Sequence, residues 1–304
     1  MPLQGSDLPL VAGIELGGTK CLCILASGPD DIRAEERIAT GTDAAETLAQ
    51  MRTVLTRWRA EQGFEALGLA SFGPIDLDPR SPSHGRVVNT PKPGWNDADI
   101  LSLGTGLGVP IGFDTDVNAA ALAEGRWGHA RGLRSYAYVT VGTGIGVGSI
   151  VDGRSVRGLG HSEAGHMRVA RLPGATFAGA CPYHRDCVEG LAAGPSIAAS
   201  AGRPATELAP NDPAWDEVVH ALAQMFHNLS VTAVPERILI GGGIAVGQPH
   251  LLPRLRRALV ESLGGYGIAP EIAGRIDDYI LPPLLGDRAG PLGAIALAHD
   301  AIAV

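Results

Sequence analysis

One short pattern occurs twice in this chain, and it constrains the fold more than any other feature. Leu10–Glu15 is an apolar run that meets Gly17-Gly18-Thr19, after which Lys20–Ala26 is apolar again. Tyr136–Val141 meets Gly142-Thr143-Gly144, and Ile145–Val151 follows. Each passage reads as strand, glycine turn, returning strand. One supersecondary unit used twice predicts an α/β fold of two similar domains facing a cleft. The boundary is expected near residue 116. That gives domains over 1–115 and 116–290, the second larger and carrying a loop at 160–190, with a last helix over 291–304 returning to the first.

The intervening elements follow from periodicity and turn residues. A strand is expected near Ala34–Thr40. A helix over Asp43–Gln62 is capped by Thr42 or Asp43 and carries Leu48, Met51, Val54, Leu55 and Trp58 on one stripe. Ala66–Phe72 is a strand running into Gly73-Pro74, and Asp76–Pro93 is a long proline-containing loop of the kind that carries function. Ile111–Asp114 is a strand and Val117–Gly128 a helix. Further on come a helix over Trp215–Ala233, a strand over Arg237–Ile240, a third glycine turn at Gly241-Gly242-Gly243, and helices over His250–Leu263 and Pro291–Ala303.

Composition narrows the function classes. The chain has 304 residues, 45% of them apolar, and 42 glycines, about twice average usage. It carries 24 basic and 32 acidic side chains, net −8, and its only lysines are Lys20 and Lys92. No basic cluster offers a nucleic-acid footprint. Met1–Leu8 lacks the pattern of a signal peptide, and the longest low-charge run, Ser135–Val151, is shorter than a bilayer span. A cytoplasmic protein without nucleic-acid or membrane partners is expected. Small anions would be held by backbone N–H groups, helix ends and metal ions.

The three glycine turns suit that task, because without a Cβ the backbone amides can approach a phosphate. None is a Walker loop, and no strict G-x-G-x-x-G is present. Singly each reads as a tight turn. Together with the duplication they read as a cradle: Gly17–Thr19 and Gly142–Gly144 clamping a triphosphate, with Gly241–Gly243 under the nucleoside.

Two other features carry chemistry. His166, Cys181, His184 and Cys187 suit a tetrahedral Cys2His2 zinc site, bracketed by Glu163 and Glu189. The alternatives are buried thiols with unrelated histidines, or a Cys181–Cys187 disulfide. Asp116 follows a strand and opens a helix, so it reads as an N-cap, as a general base at the cleft, or as both.

Together these residues resemble the ROK family within the actin-like (ribonuclease H-like) sugar kinase superfamily, over nearly the whole chain. The resemblance rests on Gly13-Ile14-Glu15-x-Gly17-Gly18-Thr19-Lys20, on Asp116-Val117-Asn118-Ala119-Ala120-Ala121, and on Glu163-Ala164-Gly165-His166 with Cys181-x-x-His184-x-x-Cys187-x-Glu189-Gly190. It is greatest toward the zinc-containing bacterial fructokinases of the family. It implies that Asp116 takes the proton from a sugar hydroxyl, and that Glu163, His166 and Glu189 bind the sugar. Gly73, Pro74, Asn89 and Thr115 would edge its pocket. ATP would lie on the glycine turns and Lys20, with Mg2+ on its phosphates. Zinc would be structural, with His166 using one ring nitrogen for the metal and the other for the sugar. A homodimer is the family expectation. Glu15 stands where many family glucokinases have Asp, and Thr115 where several glucose and hexosamine kinases have Asn. These departures point toward fructose or mannose. Other readings are a glucokinase, mannokinase or N-acetylhexosamine kinase, and outside catalysis a sugar-sensing repressor or a non-catalytic sugar-binding module.

Overall fold

The computed structural model describes residues 8–303. The chain divides into two compact units. The first comprises Met1–Gly132, Val156–His161 and Asp287–Val304, and the second Leu133–Ser155 and Ser162–Gly286.

The first unit is built from β1 (Val11–Leu16), β2 (Lys20–Gly28), β3 (Asp31–Ala39), α1 (Ala44–Glu61), β4 (Leu67–Ser71), β5 (Ile111–Thr115) and α2 (Asp116–Trp127). Its sheet runs β3-β2-β1-β4-β5, antiparallel through the first three and parallel beyond β1. β1 and β4 are buried almost throughout, whereas β3 alternates exposed and covered residues as an edge strand does. α1 starts at Asp43, whose carboxylate accepts from the Glu46 N–H (3.0 Å), and buries Met51, Val54, Leu55 and Trp58.

The second unit contains β6 (Tyr136–Val141), β7 (Ile145–Val151), β8 (Arg154–Ser155), α3 (Val188–Ala192), α4 (Gly194–Ala201), α5 (Ala214–Thr232) and β9 (Ile238–Gly241). After these come α6 (Gly243–Gly247), α7 (Leu251–Leu263), α8 (Ala269–Gly274), α9 (Ile276–Tyr279) and β10 (Ile280–Leu281). Its sheet runs β8-β7-β6-β9-β10, with the same parallel and antiparallel pairings. Strand for strand this is the order of the first sheet. The twofold use of one pattern in the sequence is a twofold use of one topology. α5 fills the core with Trp215, Met225 and Phe226.

The last helix, α10 (Ala289–Ile302), belongs to the first unit and is almost wholly buried. It can lie so close to the sheet because Gly13, Gly68 and Gly112 stand side by side on β1, β4 and β5. A Cβ on Gly68 would come 1.7 Å from the Ala294 carbonyl oxygen, and one on Gly112 2.1 Å from that of Leu297. α2 approaches equally closely, since a Cβ on Gly293 would meet the Ala119 carbonyl carbon at 2.3 Å. This packing ties α2 to the first unit, so the division falls after Gly132 rather than near residue 116.

Candidate active site

In the first unit the β1–β2 turn is a tight hairpin in which the Gly17 N–H donates to the Lys20 carbonyl (3.0 Å). Thr40 caps it from β3's end: its hydroxyl donates to the Gly17 carbonyl (2.8 Å) and its N–H to that of Thr19 (3.0 Å). Gly18, Thr19 and Lys20 are exposed. Glu15, one turn back on β1, lies against α10, where its carboxylate occupies the space a Gly290 side chain would need. Burial pushes its pKa up, against the lowering pull of Lys20, with Asp287 adding to the rise.

Asp116 is the first residue of α2, but it is not the cap. Thr115 is: its hydroxyl accepts from the Asn118 N–H (3.2 Å). This corrects the N-cap reading of Asp116, because the helix begins one residue earlier than the apolar pattern implies. The Asp116 carboxylate accepts from the Val117 N–H (2.8 Å). Beneath it, fully buried Asp114 accepts from the Thr115 N–H and the Asn118 side-chain amide (both 2.8 Å) and from Arg157 (2.6 Å). Arg157 arrives on the six residues Val156–His161, which interrupt the second unit in sequence. His161, at the end of that segment, accepts from the Ile75 N–H (3.0 Å). Ile75 follows Gly73-Pro74, a cis peptide. Asn89 lies beside this pair in the left-handed region (φ 51°), held by bonds from Val88 to the Pro74 carbonyl (2.8 Å) and from Thr90 to that of Gly73 (3.5 Å).

The second unit gathers the remaining candidates. One ligand atom from each of His166, Cys181, His184 and Cys187 lies within 4.8 Å of the others. His166 Nδ1 is 3.6 Å from Cys181 Sγ and 3.5 Å from Cys187 Sγ, and Cys181 Sγ is 3.8 Å from His184 Nδ1. Tetrahedral zinc with bonds of about 2.0–2.3 Å separates its ligands by about 3.3–3.8 Å, so the set fits. All four cysteines are free, which sets aside the Cys181–Cys187 disulfide alternative. Burial pushes the Cys187 thiol up to about 11, so a bound cation is what would make it a thiolate at neutral pH.

His166 turns its other nitrogen away from the thiols, with Nε2 3.9 Å from Glu189 Oε1. Glu189 lies at the start of α3, where the Gly190 N–H donates to the Cys187 sulfur (3.5 Å). Its Oε2 accepts from the Ile145 N–H (3.0 Å) at the β6–β7 turn. A Cβ on Gly144 would sit 2.8 Å from that oxygen. Glu163 is exposed one short turn before His166, its carbonyl accepting the His166 N–H (2.9 Å). The Gly142 carbonyl accepts from Gly194, the first residue of α4 (2.8 Å), and the third glycine turn stands beside it. Gly242 has φ +87°, and a Cβ there would meet the Val141 carbonyl oxygen at 2.5 Å, so only glycine fits.

The structure therefore brings Gly142–Gly144, Gly241–Gly243, His166, Glu189 and the cysteine–histidine set together in one unit. In the other it gathers Asp116 with Thr115, and Asn89 with Gly73-Pro74. Gly194 and Arg157 carry no motif that marks them in the sequence, and neither does Lys92, whose Nζ donates to the Gly18 carbonyl (2.6 Å). The rarity of lysine was the available signal for the last.

The ROK family model matches residues 11–301. A fructokinase of Pediococcus pentosaceus is 37% identical, over 96% of this chain and 99% of its own. A fructokinase of Zymomonas mobilis is 38% identical, over 96% and 97%. Among solved structures, the ROK hexokinase of Thermus thermophilus superposes with a TM-score of 0.77 at 28% identity, covering 97% of this chain and 99% of that one.

Proposed function

The chain belongs to the ROK family, and from that premise we propose how it phosphorylates fructose to fructose 6-phosphate. It is a sugar kinase that transfers phosphate from ATP, and full-length relatives at 37–38% identity are fructokinases. Asp116 is the base that receives the proton of the attacking hydroxyl. Phosphoryl transfer through a loose transition state asks little of that base beyond position and an ionised form. Glu163, His166 and Glu189 bind sugar hydroxyls, while Gly73, Pro74, Asn89 and Thr115 border the sugar. Gly17, Gly18, Thr19 and Lys20, with Gly142, Thr143 and Gly144, take the phosphates, and Gly241, Gly242 and Gly243 the nucleoside. Mg2+ would neutralise phosphate oxygens.

The observation that carries the reading is the orientation of His166. Its Nδ1 faces two thiols and its Nε2 faces Glu189. Zinc held by His166, Cys181, His184 and Cys187 would fix that tautomer and aim an N–H donor and a carboxylate at one polyol. Among the described residues no helix is long and apolar enough to cross a membrane. A cytoplasmic homodimer completes the proposal.

Initial rates of ADP release with fructose, mannose, glucose and N-acetylglucosamine test it. Fructose should give the highest kcat/KM. A higher value for glucose or an acetylated hexose would overturn the substrate, and no sugar-dependent release would overturn the activity.

A further inference from the structure

Among its 24 lysine and arginine side chains this protein has only two lysines, of which Lys20 closes one hairpin and Lys92 bonds to the backbone of that hairpin. Lys20 is the first residue of β2. Lys92, 72 positions later in the chain, sets its ammonium on the Gly18 carbonyl (2.6 Å) and 5.8 Å from the centre of the Phe72 ring. Among the described residues no carboxylate lies within ion-pair distance of either ammonium. Several arginines elsewhere are paired, among them Arg157 with Asp114 (2.6 Å) and Arg171 with Glu217 (2.7 Å), while Arg52 and Arg237 rest on backbone carbonyls as Lys92 does. With a net charge of −8, acidic partners are not scarce. Lys20 acts on Glu15 only at a distance, and Lys92 rests on a carbonyl and a ring, so neither charge is spent in a direct ion pair among the described residues.

The backbone at the same place is arranged for an anion. The carbonyls of Gly17 and Thr19 are bonded to Thr40, and that of Gly18 to Lys92. No described residue accepts the N–H of Gly18 or Thr19, and a Cβ built on Gly18 would meet nothing within 4 Å. With acceptors tied back and donors open, the turn is a nest for a phosphate. An ammonium has three N–H donors, so Lys92 can keep the Gly18 carbonyl and give another to a phosphate oxygen. Lysine suits this role as a compact charge with rotatable donors, where the wide planar fork of arginine would not.

We propose that Lys92 is a phosphate-binding residue that, opposite Lys20, holds the terminal phosphoryl group of ATP on the Gly17–Lys20 hairpin through its charge. This rests on the reading of that hairpin as a phosphate cradle. Lys92 is not needed to hold its own loop. Trp95 donates to the Gly41 carbonyl (2.8 Å), and Gly94 packs so closely on Thr42 that a Cβ would come 1.6 Å from its carbonyl oxygen.

Two substitutions separate charge from hydrogen bonding. Lys92→Gln can still donate to the Gly18 carbonyl but carries no charge, and Lys92→Met does neither. Both should retain the wild-type Tm and the KM for fructose, and both should lose about 10²-fold in kcat/KM for ATP. In direct titrations both should weaken ATP, while AMP, which lacks the terminal phosphates, binds as before. Wild-type activity in Lys92→Gln would reduce Lys92 to a staple and overturn the proposal. Equal weakening of ATP and AMP, or a loss confined to fructose KM, would overturn it as well. The cradle has its own readout in the unsubstituted enzyme: if ATP binds there no more tightly than AMP, the hairpin holds no phosphate at all.

Discussion

The two glycine hairpins occupy the same step of the same strand order and are equipped with opposite charge. At the β1–β2 turn the side chains that reach the backbone are Thr40 and Lys92, and they cover carbonyl oxygens. At the β6–β7 turn the visitor is a carboxylate, Glu189, which takes the Ile145 N–H. The first turn is left with open donors and the Lys92 ammonium. The second has one donor occupied by an acid that also faces His166. A duplicated topology supplied two equivalent backbone corners, and side chains from other elements then divided the labour between them. On the proposed reading the first corner serves phosphate alone, while the second also serves the sugar through Glu189.

The largest expected effect tests that division where it meets the chemistry. Asp116→Asn should lower kcat by about 10³-fold or more, within the range for losing a general base, while fructose binding measured by calorimetry stays within about twofold. Glu189→Gln should act in the opposite sense, raising the fructose KM more than it lowers kcat. If Asp116→Asn keeps most of its turnover, the base is elsewhere.

Next comes the proposed zinc set, which on this reading supports only the second corner. Removing zinc with a chelator, or substituting Cys187→Ser, should weaken fructose about 10-fold or more, the usual scale for losing groups that orient a site. ATP affinity should change little. Metal analysis of freshly purified protein should find about one zinc per chain. Equal loss of ATP and fructose binding would show that the two corners are not independent.

The glycines sharpen the contrast at lower cost. A Cβ on Gly17 would press to 2.7 Å on the Lys20 carbonyl oxygen, within its own hairpin, whereas one on Gly18 meets open space. Gly17→Ala should lower stability by about 1–3 kcal/mol. Gly18→Ala should leave Tm unchanged yet raise the KM for ATP, because the methyl group stands where a phosphate would approach. A Gly18→Ala enzyme with unaltered ATP kinetics would remove the phosphate from that turn.

Much of this arrangement is legible in the sequence, and the reason is locality. Strand–glycine–strand patterns, the stripe Met51, Val54, Leu55 and Trp58, and the clustering of His166, Cys181, His184 and Cys187 are short-range signals. What was not legible depends on register between distant segments. The row Gly13, Gly68 and Gly112 becomes a groove for α10 only once β1, β4 and β5 are in line. Arg157 carries no motif, and its partner Asp114 is 43 residues away in sequence. A split of the His166 ring between thiols and sugar side is expected from the resemblance, but which nitrogen faces which, Nδ1 to sulfur and Nε2 to Glu189, is likewise a product of packing. Helix ends shifted by a residue or two for the same reason. Thr115 wins the cap from Asp116 because strand pairing carries β5 through Ser71↔Thr115 before the helix can start.

The smallest expected effect concerns the acid at the first corner. Glu15 differs from Glu189 in that burial dominates its electrostatics and raises its pKa, with Lys20 only partly offsetting this. An acid whose folded pKa lies above its unfolded value favours folding while it is protonated. Its contribution is fully present below the ordinary carboxylate range, about 4.3 for glutamate, and is lost as pH rises through the raised folded value. Above the ordinary carboxylate range, then, the preference of folded Glu15 for its protonated form works against the folded state, and Glu15→Gln should raise Tm at pH 7. The gain should shrink to nothing near pH 4 and should be larger in a Lys20→Met background, where the offsetting ammonium is gone. Thermal unfolding of the four proteins between pH 4 and 8 reads this directly. A Tm gain independent of pH would mean that the amide simply packs better. A loss at pH 7 would mean that the ionised carboxylate is a net support of the hairpin, which would make the first corner electrostatically more like the second than its charges suggest.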